Sequence, residues 1–212
     1  MQEFFVQLLG TRSAELQKEV ESLGCRTQII NGPEEQTPAA DICLASGLHY
    51  IVSPDLLRIT RLGLWGFHES KLPEGRGCAP LQWTVLEGKT ELTVSFFELV
   101  EQFDSGRILG QMSLAIERTD LLDDLRNKAD TLRFELIKRC LRNYLSGSQE
   151  PFSQSGAKSY YRKRTPEDSR LDLNATLLDQ WPLIRVCDNE AFPAWFEVNG
   201  TKYLLKCYKA GE

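Results

Sequence analysis

Short apolar runs recur through the first seventy residues, at 4–9 (FFVQLL), 26–30 (RTQII), 41–46 (DICLAS) and 63–68 (GLWGFH), each bounded by Gly, Pro or polar positions. Runs of this length and composition predict strands. Between the first two, Leu16, Val20 and Leu23 recur at helical spacing, with Ser13 ahead as a cap and Gly24 behind as a stop. Uninterrupted apolar strands separated by helical pattern predict a buried, mainly parallel sheet, and the fold class is α/β.

The pattern then changes character. Pro80 to Leu86 predicts a short helix that opens on proline and stops before Gly88. Residues 92–99 and 108–116 predict two strands flanking a turn, and an amphipathic helix runs from Thr119 to about Tyr144 with Leu122, Leu125, Ala129, Leu132, Leu136 and Cys140 on one stripe. Residues 146–159 (SGSQEPFSQSGAKS) lack periodicity and predict a linker. The expected organisation is a main domain over 1–145, that linker, and a small C-terminal subdomain over 160–212. The latter holds a basic run, a helical stretch near 175–186 and a hairpin turning at Asn199-Gly200.

Composition narrows the function classes. With 42% hydrophobic and 26% charged residues over 212 positions, the chain has the make-up of a globular protein, and no apolar run approaches the ~20 residues of a membrane span. The opening residues carry no basic leader, so the expected compartment is the cytoplasm. Six scattered cysteines without a C-x-x-C pair argue against zinc and against a disulfide framework, and reduced, mostly buried thiols are expected. A net charge of −5 disfavours a nucleic-acid partner, because phosphate contacts supply most non-specific affinity.

Candidate chemistry is sparse. No G-x-S-x-G elbow, phosphate-binding P-loop or G-x-G-x-x-G turn is present. Cys78 reads as a small residue at a helix start rather than as a nucleophile. Of the two histidines, His49 reads as a strand-end residue, whereas His68 ends an apolar run and opens the loop ESKLPEGRG, where open α/β sheets place their ligand crevice. Backbone hydrogen bonds hold many strand-end histidines, and position alone weighs that reading equally. Asp104, in FDSG, suits a turn. If the fold brings it to His68, its carboxylate would orient the ring and stabilise the imidazolium.

The stretch GFHESKLPEGRG resembles the motif Asn-x-His-Pro-Ser-x-Leu-Pro-x-x-Arg-Gly of formyltransferases that use 10-formyltetrahydrofolate. His68, Ser70, Leu72, Pro73, Arg76 and Gly77 match it, Asp104 and Gly106 match a later Asp-x-Gly, and the 36-residue separation of His68 and Asp104 agrees with that family. The resemblance covers residues 41–144 and implies a Rossmann-like formyltransferase fold, 10-formyltetrahydrofolate as formyl donor and no metal. It implies His68 and Asp104 as catalytic residues, with Tyr50, Ile51, Val100, Phe103 and Asp104 beside the folate. Ser70, Lys71, Arg76, Gly77, Lys163 and Arg164 would face the substrate, the basic ones engaging a diphosphate. The segments KRTPEDSRLDL and IRVCDNEAFPAWFEVNG are similar to those following the catalytic domain in sugar-nucleotide formyltransferases. They imply a nucleotide-linked 4-amino-4,6-dideoxy sugar as acceptor. Net charge and the lack of a spanning run leave neither nucleic acid nor membrane as an expected partner, and the edge of the C-terminal hairpin could pair with a second copy.

Two departures stand out. The family's Asn falls on Gly66, and the N-terminal part is about forty residues shorter than the family's usual domain, which implies the loss of one strand-helix unit. The alternatives are a folate- or nucleotide-binding module with impaired turnover, and a formyltransferase acting on an amino acid or a carrier-bound aminoacyl group.

Overall fold

The computed structural model describes residues 3–48 and 52–210. Six strands build one sheet in the order β2-β1-β3-β4-β6-β7, where β1 is Phe5–Leu9, β2 Arg26–Ile30, β3 Ile42–Ala45, β4 Leu64–His68, β6 Glu91–Glu98 and β7 Ile108–Ala115. The first four run parallel, as their continuous apolar pattern requires, and β6 lies antiparallel between β4 and β7. Helix α1 (Ser13–Glu21) links β1 to β2, and α3 (Leu122–Leu145) packs across β6 and β7. The sequence-based boundaries fall within a few residues of these. Ser13 is not the cap, however. Arg12 holds that position, and the Ser13 hydroxyl donates backwards to the Gly10 carbonyl at 2.8 Å.

Alternation along β6 divides the two faces of the sheet. Leu92, Val94 and Phe96 enter the main core with the apolar stripe of α3, which includes Ala129, Leu132, Leu136, Ile137, Cys140 and Leu141. Thr93, Ser95 and Phe97 point to the other face, where the candidate site forms. Trp65 anchors the core at 1% exposure, edge-on to Phe96 and Tyr144 at 5.9 and 5.2 Å. Trp65→Ala is expected to cost about 3–5 kcal/mol, read as a shift in the denaturant midpoint.

The C-terminal part hangs on the core through α4 (Trp181–Ile184) and the residues after it. The Arg185 guanidinium donates to the carbonyls of Glu117 and Asp120, Arg126 pairs with Asp188, and Val186 packs on Val85 of α2 (Pro80–Leu86) and Leu125 of α3. Strands β9 (Ala194–Val198) and β10 (Thr201–Leu205) form the expected antiparallel hairpin. Asn199 and Gly200 both take positive φ, at 49° and 77°, as a type I′ turn demands.

Four cysteines are buried, Cys207 is half-buried, Cys78 is exposed, and all six are free thiols. Burial pushes the Cys43 thiol up to about 12 and that of Cys25 to about 11, from 9.0. A native state that keeps protons the unfolded chain gives up above pH 9 loses stability as the pH climbs from there toward these raised values. The melting temperature should therefore fall between pH 8 and pH 10, and fall less in Cys43→Ala. An equal fall in both proteins would assign the alkaline loss to other groups.

Candidate active site

The loop that follows β4 folds back over the polar face of the sheet instead of projecting into solvent. Ser95, opposite His68 in the β4/β6 ladder, donates its hydroxyl to the Ser70 carbonyl at 2.6 Å and accepts from the Leu72 N–H at 3.3 Å. The Gln111 amide donates to the Leu72 carbonyl and the Ser95 hydroxyl. Leu72 packs on Phe97 and Ile108, which adds an apolar tie. Glu69 reaches α3, where it bonds Arg133, itself paired with Asp130 and held beside Arg12. Burial, with the like charge of Arg12, lowers the Arg133 guanidinium to about 10.

His68 is 7% exposed, and its Nε2 lies 2.8 Å from the Gly75 carbonyl oxygen. A carbonyl can only accept, so Nε2 carries the proton and Nδ1 of the neutral ring is left with its lone pair. Nδ1 faces Asp104 Oδ2 at 3.7 Å, and the two side chains are 9% and 12% exposed. Asp104 sits at φ 48°, a left-handed conformation that aspartate tolerates in turns. Its Oδ2 accepts the Gly77 N–H at 2.8 Å, so the carboxylate is fixed by the same loop that fixes the histidine. The pair thus has a basic nitrogen facing a carboxylate beyond hydrogen-bond length, an arrangement that stabilises a proton arriving at Nδ1.

A second segment closes the site from behind. Residues 149–161, within and just after the stretch expected to be a linker, run along the core as a strap. The Phe152 and Ile108 backbones exchange hydrogen bonds, and the Gln149 amide donates to the Leu109 carbonyl. Strand β8 (Tyr160–Tyr161) pairs parallel to β5 (Arg76–Gly77). The approach is tight enough that a Cβ on Gly77, at φ 103°, would lie 2.3 Å from the Tyr161 carbonyl oxygen. Arg76, 1% exposed, donates to the Tyr160 hydroxyl and to Gln154 Oε1.

These contacts place the residues singled out in the sequence. His68, Asp104, Ser70, Arg76 and Gly77 converge, but with different duties. The Ser70 hydroxyl serves its own loop by donating to the Glu74 carbonyl at 2.7 Å, and the Arg76 guanidinium ties loop to strap instead of presenting a free fork to a phosphate. Lys71 and Lys163 are exposed. Arg164 donates to the Asp168 carbonyl and lies 6.0 Å over the Trp83 ring, with Arg162 at 5.0 Å. Trp83 in turn stacks on Tyr161. Val100 and Phe103, at 38% and 44% exposure, offer apolar surface on the loop that carries Asp104. His49, Tyr50 and Ile51 lie outside the described residues. At Gly66 a Cβ would meet Leu99 Cδ1 at 2.5 Å, so the Leu99 side chain occupies the place a residue-66 side chain would fill.

Among the described residues, no group of three or more His, Cys, Asp or Glu could hold a metal ion, and no helix is long and apolar enough to cross a membrane.

The formyl transferase family matches over residues 28–141, and the chain belongs to that family. It is 32% identical over 146 residues to the bifunctional polymyxin resistance protein ArnA of Wigglesworthia glossinidia brevipalpis, covering 68% of this chain and 22% of that protein. Among solved structures it resembles methionyl-tRNA formyltransferase from Clostridium thermocellum, with a TM-score of 0.78 at 20% identity over 99% of this chain and 95% of that one. It also resembles the formyltransferase PseJ from Anoxybacillus kamchatkensis, solved with UDP-4,6-dideoxy-4-formamido-L-AltNAc and tetrahydrofolate (TM-score 0.64, 21% identity, 75% and 85% coverage). At these identities the structural likeness is one of fold, the mostly parallel α/β sheet of formyltransferases. The chain spans about a fifth of the ArnA relative and about half the length of the methionyl-tRNA formyltransferases it matches.

Proposed function

We propose that the chain moves a formyl group from 10-formyltetrahydrofolate to the amine of a nucleotide-linked amino sugar. The observation that carries this reading is the His68–Asp104 pair, with Nε2 committed to Gly75 and a basic Nδ1 facing the carboxylate at 3.7 Å. An amine that attacks the formyl carbon must shed a proton, and His68 accepts it at Nδ1 beside the Asp104 carboxylate; as the bond between the formyl carbon and N10 of the donor breaks, that proton passes to N10 and tetrahydrofolate leaves. The exposed Val100 and Phe103 beside Asp104 suit the flat apolar face of a pterin, and the folate supplies the activated formyl group.

The sugar-nucleotide acceptor draws support from the net charge of −5, which opposes a tRNA acceptor, from the basic run 162–164 that leaves β8 beside the catalytic loop, and from the ligand of PseJ. Incubation with the donor and a panel of amino-sugar nucleotides, with methionyl-tRNA in parallel, tests it by product mass. A formylated sugar nucleotide is expected, and formylated methionyl-tRNA alone would overturn the acceptor assignment.

A second reading rests on Gly66, which lacks the side-chain amide of the resembled motif while Leu99 fills its space. One missing oxyanion donor costs about 2.7–4 kcal/mol of barrier. A binding module without turnover would retain tetrahydrofolate and release no product with any amine.

A further inference from the structure

The strap reaches both His68 and Asp104 through hydrogen bonds to backbone and to one buried arginine. The Gln154 side-chain amide donates to two carbonyls of the Asp104 turn, Asp104 O and Gly106 O, each at 2.9 Å, while its Oε1 accepts from buried Arg76 at 2.5 Å. Among the described residues no carboxylate pairs with that guanidinium, and its Nε finds no partner. Ser159 Oγ accepts the Gly75 N–H at 2.8 Å, and the Gly75 carbonyl on the same residue holds His68 Nε2. One short segment therefore fixes the carboxylate through its turn and the imidazole through its anchor.

From this geometry we infer that Gln154 and Ser159 are positioning residues that set the alignment of His68 and Asp104, the pair on which the proposed formyl transfer rests. Gln154 acts on the backbone of the Asp104 turn, and Ser159 on the peptide that fixes the His68 tautomer. Neither touches the reacting atoms. Their effect is geometric, and displacements of about 1 Å at a reacting pair cost on the order of 10²-fold in rate.

Substitutions separate positioning from simple packing. Gln154→Met keeps the volume and removes all three hydrogen bonds. Gln154→Glu keeps the acceptor for Arg76 but loses both donations to the Asp104 turn. Ser159→Ala removes the acceptor for Gly75, and Ser159→Thr restores it. The first readout needs no substrate. The His68 ring resonances, assigned against His49→Gln, are recorded by NMR in each full-length variant under one condition, and they are expected to move in Gln154→Met and Ser159→Ala, because the ring and the Asp104 turn lose the contacts that fix them against each other. The second readout is kcat and KM with the formyl donor. Here kcat is expected to fall about tenfold or more in Gln154→Met, Gln154→Glu and Ser159→Ala, with KM nearly unchanged and recovery in Ser159→Thr.

Wild-type His68 ring resonances in both Gln154→Met and Ser159→Ala, or wild-type kcat in Gln154→Glu, would overturn the inference. If the wild-type chain formylates no amine, the proposed reaction falls, and the ring resonances still decide whether the strap aligns the pair.

Discussion

Replacing His68 by Ala is expected to lower kcat/KM for formyl transfer on the order of 10²- to 10⁴-fold, the range a positioned general acid–base group contributes. The reason lies in how the ring is committed. Its Nε2 proton is held by the Gly75 carbonyl and its Nδ1 faces Asp104, so removing the ring removes the nitrogen that would take the amine proton. Asp104→Asn should follow it, because an amide leaves the Gly77 contact possible while removing the charge that stabilises the imidazolium. Both variants should fold, since neither side chain fills the main core. Steady-state kinetics beside thermal melts check the pair of outcomes, and turnover near wild type in either variant would remove His68 and Asp104 from the chemistry.

Gly106→Ala is expected to lower kcat on the order of 10²-fold and to cost about 1–3 kcal/mol of stability. A Cβ at this position would sit 1.8 Å from the Glu98 carbonyl oxygen, a backbone atom of β6 with no freedom to move aside. The turn would have to lift, which carries Asp104 away from Nδ1 and takes the Gly106 carbonyl off Gln154. The glycine of the Asp-x-Gly motif thus has a plain steric cause, the close passage of two backbone segments. Kinetics and a denaturant melt on the single variant test it, and normal values of both would show that the turn can absorb the methyl group without moving the carboxylate.

Much of this architecture is legible in the sequence because its elements obey simple periodicities. The parallel strands are unbroken apolar runs, α3 shows its stripe, and Asn199-Gly200 announces the hairpin. His68 and Asp104 stand out through their loop chemistry and spacing, and the structure brings them to 3.7 Å. The strap is illegible for a physical reason. Gln154, Ser159 and Tyr160 act through hydrogen bonds to backbone and to one buried arginine, and such bonds leave no hydrophobic period. Their Ser, Gly and Gln neighbours read as a linker. The same limit hides the duty of Arg76, a basic residue in a loop that a sequence reader assigns to phosphate, yet which the fold buries to 1% as a tie to the strap. Glu69 gives no sign of its bond to Arg133 either, because the partner lies 64 residues away on α3.

The most direct measurement is tetrahydrofolate release after the wild-type chain is mixed with 10-formyltetrahydrofolate, with and without an amino-sugar nucleotide. Release that depends on the amine and yields a sugar heavier by one formyl group is the expected result. Folate bound without amine-dependent release, whatever amine is offered, would contradict a catalytic His68–Asp104 pair.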